Sequence, residues 1–257
     1  MFDSLLANWP VIRDPWFYAV AIPAVLLTGM AKSGFASGFG TLATPLMALT
    51  IPVPQAAGVM LPLLLVMDAV GLQRLWRERN PALLRALVPW GLMGTVLGAL
   101  LFGVLSTAAV SGFVGALTLL FLAQRLLFPP RAGSRPMPAW VGSGCAVASG
   151  LSSFVVHAGS PPINAYVLPL RLAPLAFSGT MAVYFAVLNT FKLLPYGVLG
   201  LLDWRNLATS VVLMPFAPVG VWIGVRLTGY VSQDAFYRLA YAGMFLTGSK
   251  LLWDGLR

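Results

Sequence analysis

Three groups of polar and ionisable side chains lie where the neighbouring residues are apolar enough for a bilayer interior. In MAKSGFASGFGTLATPLMAL, residues 30–49, Lys32, Ser33, Ser37, Thr41 and Thr44 alternate with Gly34, Gly38, Gly40 and Pro45. In ASGLSSFVVHAGSPPINAY, residues 148–166, Ser149, Ser152, Ser153, His157, Ser160 and Asn164 surround Gly150 and Gly159, with Pro161 and Pro162 set to start a helix. In the third group Asp68 sits inside LPLLLVMDAVGL, and Asn189 and Lys192 sit three apart in YFAVLNTFKLLPY, on one helix face. The chemistry that suits these residues is the holding of a small oxyanion. Glycines let a membrane helix unwind, and a restarted helix presents free N–H groups at its positive end. Lys32 adds a full charge, and the hydroxyls can donate to the remaining oxygens.

A charge at the bilayer centre costs about 2.5–3.5 kcal/mol on insertion scales, so such residues face a cavity or a partner. Asp68 and Lys192 are the expected pair, and with Asn189 they are candidates for coupling or gating. Other readings stay open on the residues alone. Gly34 and Gly38, four apart, also suit close helix packing. His157 also fits a hydrogen-bonded buried loop, and Lys32 a side chain snorkelling to the interface.

The elements that must position these groups follow from composition. Hydrophobic residues make up 59% of 257 and charged ones 9%, and apolar stretches of about 20 residues recur, enough to cross the hydrocarbon core. The chain is therefore read as all-α, a polytopic helical membrane protein. The short alternating segments of a β-barrel are absent. The net charge of +9 comes from arginines between apolar runs, where they orient helices, so no nucleic-acid partner is expected. A single cysteine, Cys145, and a single histidine, His157, argue against a disulfide, a metal centre or a haem site. No phosphate-binding GxxxxGK[ST] run is present, so no cofactor is expected and transport would run on a gradient.

Ten apolar runs lie between 17 and 253; the short ones, such as 36–51, are expected to be re-entrant or broken, giving seven to ten membrane segments. Residues 1–16 read as a retained interfacial segment anchored by Trp9 and Trp16. Residues 17–128 and 138–257 read as two repeat halves joined by a proline-rich hinge at 129–137. Ala36-Ser37-Gly38 matches Ala148-Ser149-Gly150, Thr44-Pro45 resembles Ser160-Pro161, Gly58-Val59-Met60 faces Gly179-Thr180-Met181, and Asp68 faces Asn189. Arg74, Arg77, Arg79 and Arg85 crowd one loop, whereas its counterpart balances Arg205 with Asp203. That asymmetry predicts inverted halves.

At GMAKSGFASGFGTLATPLMAL (29–49), QAAGVMLPLLLVMDAVGL (55–72), HAGSPPINAYVLPLRL (157–172) and FSGTMAVYFAVLNTFKLLPYGVLG (177–200), the chain resembles the sulfite exporter TauE/SafE family. The resemblance covers nearly the whole chain and implies a transporter of sulfite, sulfonates or related small anions. The expected substrate site is Lys32, Ser33, Ser37, Gly38, Thr41, Thr44, Ser152, Ser153, His157, Gly159, Ser160 and Asn164, where two broken helices meet near the midplane. Protons, taken up by Asp68 or His157, are the candidate coupling ion. The expected setting is a bacterial inner membrane. Two rival functions remain in view, an intramembrane hydrolase built on a serine and His157, and a non-transporting assembly factor.

Overall fold

The computed structural model describes residues 10–32, 42–127, 137–227 and 233–257. Ser33, Ser37, Gly38 and Thr41 lie outside the described residues, as do most of the 1–16 segment and of the 129–137 hinge. The described residues contain no strand. The helices are α1 (Pro15–Lys32), α2 (Ala43–Met47), α3 (Val53–Leu75), α4 (Pro81–Val104), α5 (Thr107–Leu127), α6 (Ala139–Val156), α7 (Ser160–Val167), α8 (Pro174–Val198), α9 (Trp204–Leu213), α10 (Phe216–Leu227) and α11 (Gln233–Gly255).

Local chemistry sets several of these boundaries. Pro81 and Pro174 occupy first turns, where a missing N–H costs nothing. The side chain of Asn80 accepts from Leu83 N–H at 3.1 Å and that of Asp203 from Asn206 N–H at 2.7 Å, capping α4 and α9. The break between α6 and α7 falls at His157, which is left-handed with φ 56°; a non-glycine residue holds that conformation only under tertiary constraint.

Five helices are long and apolar enough to cross a membrane, among the described residues, and six if the bent pair Trp204–Leu213 and Phe216–Ile223 counts as one span. The chain is a polytopic helical membrane protein. The expected seven to ten segments also counted shorter pieces, such as α2 and α7.

Close helix contacts come in reciprocal sets. A side chain at Gly29 on α1 would meet the Ala217 carbonyl at 2.7 Å and Val221 N at 2.8 Å on α10. A side chain at Gly150 on α6 would collide with the Gly91 carbonyl and meet Thr95 N at 2.8 Å on α4. Gly150 follows Gly29 by 121 residues, while Ala217 and Val221 follow Gly91 and Thr95 by 126. Gly220 is packed on the Leu26 carbonyl, and Gly94, 126 residues earlier, on that of Val147, 121 residues after Leu26. At this interval Gly150 is matched with Gly29, whereas the sequence pairing sets it against Gly38, which lies outside the described residues. The helix α3 packs against α8, and α5 against α11. Asp68 meets Asn189, and Gly179 is pressed on the Leu75 carbonyl, so α3 and α8 run antiparallel.

Candidate functional site

A cavity of about 150 Å³ lies between α1, α3, α6, α7 and α8, well above the ~10–15 Å³ that admits one water molecule. It runs from Leu64 and Asn189 near the middle of α3 and α8 toward Leu75 and Phe177. The Arg77 and Arg79 loop follows Leu75 at that end.

The floor is a polar chain crossing from helix to helix. Lys32, at the last turn of α1, forms an ion pair with Asp68 of α3. The other Asp68 oxygen, Oδ2, accepts from Asn189 Nδ2 at 2.6 Å. Asn189 Oδ1 accepts from Lys192 Nζ at 2.9 Å. Lys192 also donates to the Ser153 carbonyl at 2.6 Å and to Ser153 Oγ at 2.8 Å, and its Nζ lies 3.2 Å from His157 Nδ1. His157 Nε2 lies 3.1 Å from the Ala57 carbonyl. A proton on Nε2 satisfies both ring contacts, since it donates to Ala57 and leaves Nδ1 to accept from Lys192. Every partner of Lys192 can then accept a hydrogen bond from it. The cluster holds two lysines against one aspartate. Asp68, at 3% exposure, and Lys192, at 0%, are buried, whereas Lys32 is partly exposed at the cavity.

The sequence expected Asp68 to pair with Lys192, and the structure corrects this. Lys32 takes the carboxylate, and Asn189 is inserted between Asp68 and Lys192. The spacing of Asn189 and Lys192 fixed their shared face, but not which residue of that face reaches the opposite helix.

Seven of the expected residues line the cavity: Lys32, Asp68, Ser153, His157, Ser160, Asn164 and Asn189. Thr44, Ser152, Gly159 and Lys192 do not. Thr44 is fully buried, and its hydroxyl has no hydrogen-bond partner among the described residues. Ser152 Oγ donates to Ala148 and Ala158 carbonyls at 2.7 and 3.0 Å, and the Gly159 carbonyl accepts from Ser149 Oγ at 2.7 Å. These bonds brace the α6–α7 break. Thr28, Gly71 and Ser178 also line the cavity and were missed. Gly71 was legible one turn beyond Asp68, and Ser178 beside the matched Gly179; Thr28 gave no signal beyond a hydroxyl in an apolar helix.

Both ring nitrogens of His157 are engaged, with Lys192 and with a backbone carbonyl, rather than aimed at a serine hydroxyl as a serine–histidine dyad requires. The arrangement is suited to holding an oxyanion, through the surplus positive charge, Ser153 and Ser160 hydroxyls and the Asn164 amide. No curated protein and no solved structure is matched by the chain. The family model described as sulfite exporter TauE/SafE matches residues 21–251.

Proposed function

Because the chain belongs to the sulfite exporter TauE/SafE family, we propose that it is a secondary transporter of a sulfite- or sulfonate-type anion, working by alternating access between two inverted halves, 17–128 and 138–257. The observation that carries this reading is the cavity at mid-helix depth lined by Lys32 and Asp68, with Lys192 joined to them through Asn189 behind the wall. A lipid-embedded cation surplus is costly unless an anion visits it.

The inverted arrangement is supported by the central contact. Asn189 follows Asp68 by 121 residues, and Gly179 follows Gly58 by the same interval. A two-fold axis along the membrane normal relates matched helices in parallel, whereas an axis in the membrane plane relates them antiparallel. The matched helices α3 and α8 are antiparallel, and the matched pair Asp68 and Asn189 touch each other, as residues beside such an axis must.

Asp68 is the acid of the polar chain, facing Lys32 directly and Lys192 through Asn189. A proton taken up by Asp68 removes the charge that holds Lys32, and Lys32 is then free to meet an incoming anion. Proton and anion would move together. His157 is the weaker proton carrier, because a proton on Nδ1 would face the Lys192 ammonium.

The test is flux of labelled sulfite in proteoliposomes under an imposed pH gradient. Accumulation that follows the proton gradient is expected. Absent sulfite and sulfonate flux in well-folded protein would defeat the transport reading, and flux indifferent to pH would defeat the coupling alone.

A further inference from the structure

Four buried polar side chains stand behind the cavity wall rather than on it. Ser149, Ser152, Lys192 and Tyr196 are each at most 1% exposed, and none lines the cavity. Their polar atoms are satisfied internally; the Tyr196 hydroxyl, for example, donates to the Phe154 carbonyl at 2.5 Å. Lys192 is the hardest to explain by packing. Removing an ammonium from water costs several kcal/mol, and its four partners are all uncharged acceptors.

The 121-residue register supplies a reason. Gly71 lines the open cavity, and a side chain added there would meet nothing within 4 Å. Lys192 lies 121 residues after Gly71. The same step carries Leu75 to Tyr196, Thr28 to Ser149 and Ala31 to Ser152. Leu75, Thr28 and Ala31 line the cavity as well. Ser152, Lys192 and Tyr196 are therefore counterparts of residues on the open side of the cavity, and Ser149 is the counterpart of Thr28, a buried residue of the same wall. Lys32 and Asp68 map by the same step onto Ser153 and Asn189, and all four of these already line the cavity.

Resting on the reading of inverted halves in alternating access, we infer that Lys192 is an anion-contacting residue of the opposite-facing state, with Ser149, Ser152 and Tyr196 completing its wall. When the halves exchange conformations, the passage from the axis to Leu75 along Gly71 closes. A passage from the axis to Tyr196 along Lys192 opens in its place. Lys32, Ser153, Asp68 and Asn189 face the anion in both states, because they map onto one another. In opening, Lys192 gives up Ser153 and His157 Nδ1 and gains a small oxyanion. One passage is thus lined by glycine and the other by a lysine, and the anion meets a second cation only on the far side.

The test uses the wild-type chain in oriented membrane vesicles with sulfite present. Lysines are acylated by a membrane-impermeant reagent from one side at a time and read by peptide mass spectrometry. Lys192 is expected to label only from the side of the 199–203 turn, and Lys32 from both sides. An opposite-facing state populated at roughly 1% still labels, at about one-hundredth the rate of an always-open site. Lys192 unlabelled from either side, while Lys32 labels and sulfite flux continues, overturns the inference and leaves transport standing. No sulfite or sulfonate flux in the same vesicles withdraws the transport reading and the inference with it. Gly71→Cys in a Cys145→Ser background gives an independent check. Its thiol should react only from the side of the 76–80 loop, and reaction from the other side also overturns the assignment.

Discussion

Asn189 donates its amide Nδ2 to Asp68 Oδ2 at 2.6 Å, and the two residues hold corresponding places 121 apart in the chain. One position is acidic and the other neutral, so the contact carries unequal charge. Exchanging the two side chains moves the carboxylate across the contact while preserving the pair. Asp68→Asn alone should abolish the pH-gradient dependence of sulfite uptake while anion-for-anion exchange persists. The double exchange Asp68→Asn with Asn189→Asp should recover part of the gradient-driven flux. Full pH-driven flux in the folded single variant would end the coupling argument.

Lys32→Met is expected to weaken anion binding about 10–100-fold, since hydrogen bonds to charged groups are worth about 1.5–3 kcal/mol. It should also destabilise the protein, because Asp68, at 3% exposure, loses its ion-pair partner; removing one member of a buried pair costs about 3–5 kcal/mol. Adding Asp68→Asn should restore the melting temperature but not the affinity. Anion-dependent thermal shift separates the two effects, and a double variant that regains both would remove Lys32 from the site.

The reciprocal packing predicts matched sensitivity. Gly150→Ala and Gly29→Ala both force a methyl into opposing backbone and should each cost about 1–3 kcal/mol, the usual range for overpacking. Gly71→Ala, with open space at that position, should leave unfolding unchanged or gain up to about 1 kcal/mol of helix propensity. Detergent-resistance melting curves check all three, and a tolerant Gly29 beside an intolerant Gly150 would argue against equivalent helix pairs.

His157→Asn should remain folded, because asparagine enters the left-handed region more readily than other non-glycine residues, and its carbonyl can accept from Lys192. His157→Val loses that acceptor and adds backbone strain of about 1–3 kcal/mol. Sulfite flux in His157→Asn at a substantial fraction of wild type is expected. Its complete loss in a folded protein would give the imidazole a role in transport beyond positioning Lys192.

Much of the site was legible because polar residues are conspicuous in apolar runs. Lys32, Asp68, Asn189 and Lys192 stood out by cost alone, and the polar chain joins all four. Their pairing was not legible, since helical spacing tells which side chains share a face and says nothing about the offset of facing helices. Between α3 and α8 that offset is set by the backbone contact of Gly179 with Leu75. The triplet at 36–38 resembles 148–150 more closely than residues around Gly29 do, and it pairs at a spacing of 112 rather than the 121 that separates Gly58 from Gly179. The break at His157 was legible from Gly159 and Pro161, but the left-handed turn at the histidine itself was not, because the constraint comes from Ala57 and Lys192 on other helices.

The two lysines and one aspartate of the floor have an electrical consequence. An empty carrier with this cluster deprotonated only at its aspartate holds one uncompensated positive charge inside the membrane. Any reorientation that shifts this charge through the field does electrical work, about 2.3 kcal/mol for a full crossing at 100 mV. A singly charged oxyanion that binds without a proton cancels it, and that form turns over indifferent to voltage. An anion that enters with a proton on Asp68 leaves the single positive charge in place. The unloaded return step becomes the voltage-sensitive and slow one, which suppresses futile cycling and favours exchange of one anion for another. Transient currents on a supported membrane, present without substrate and damped when sulfite is added, would carry that signature.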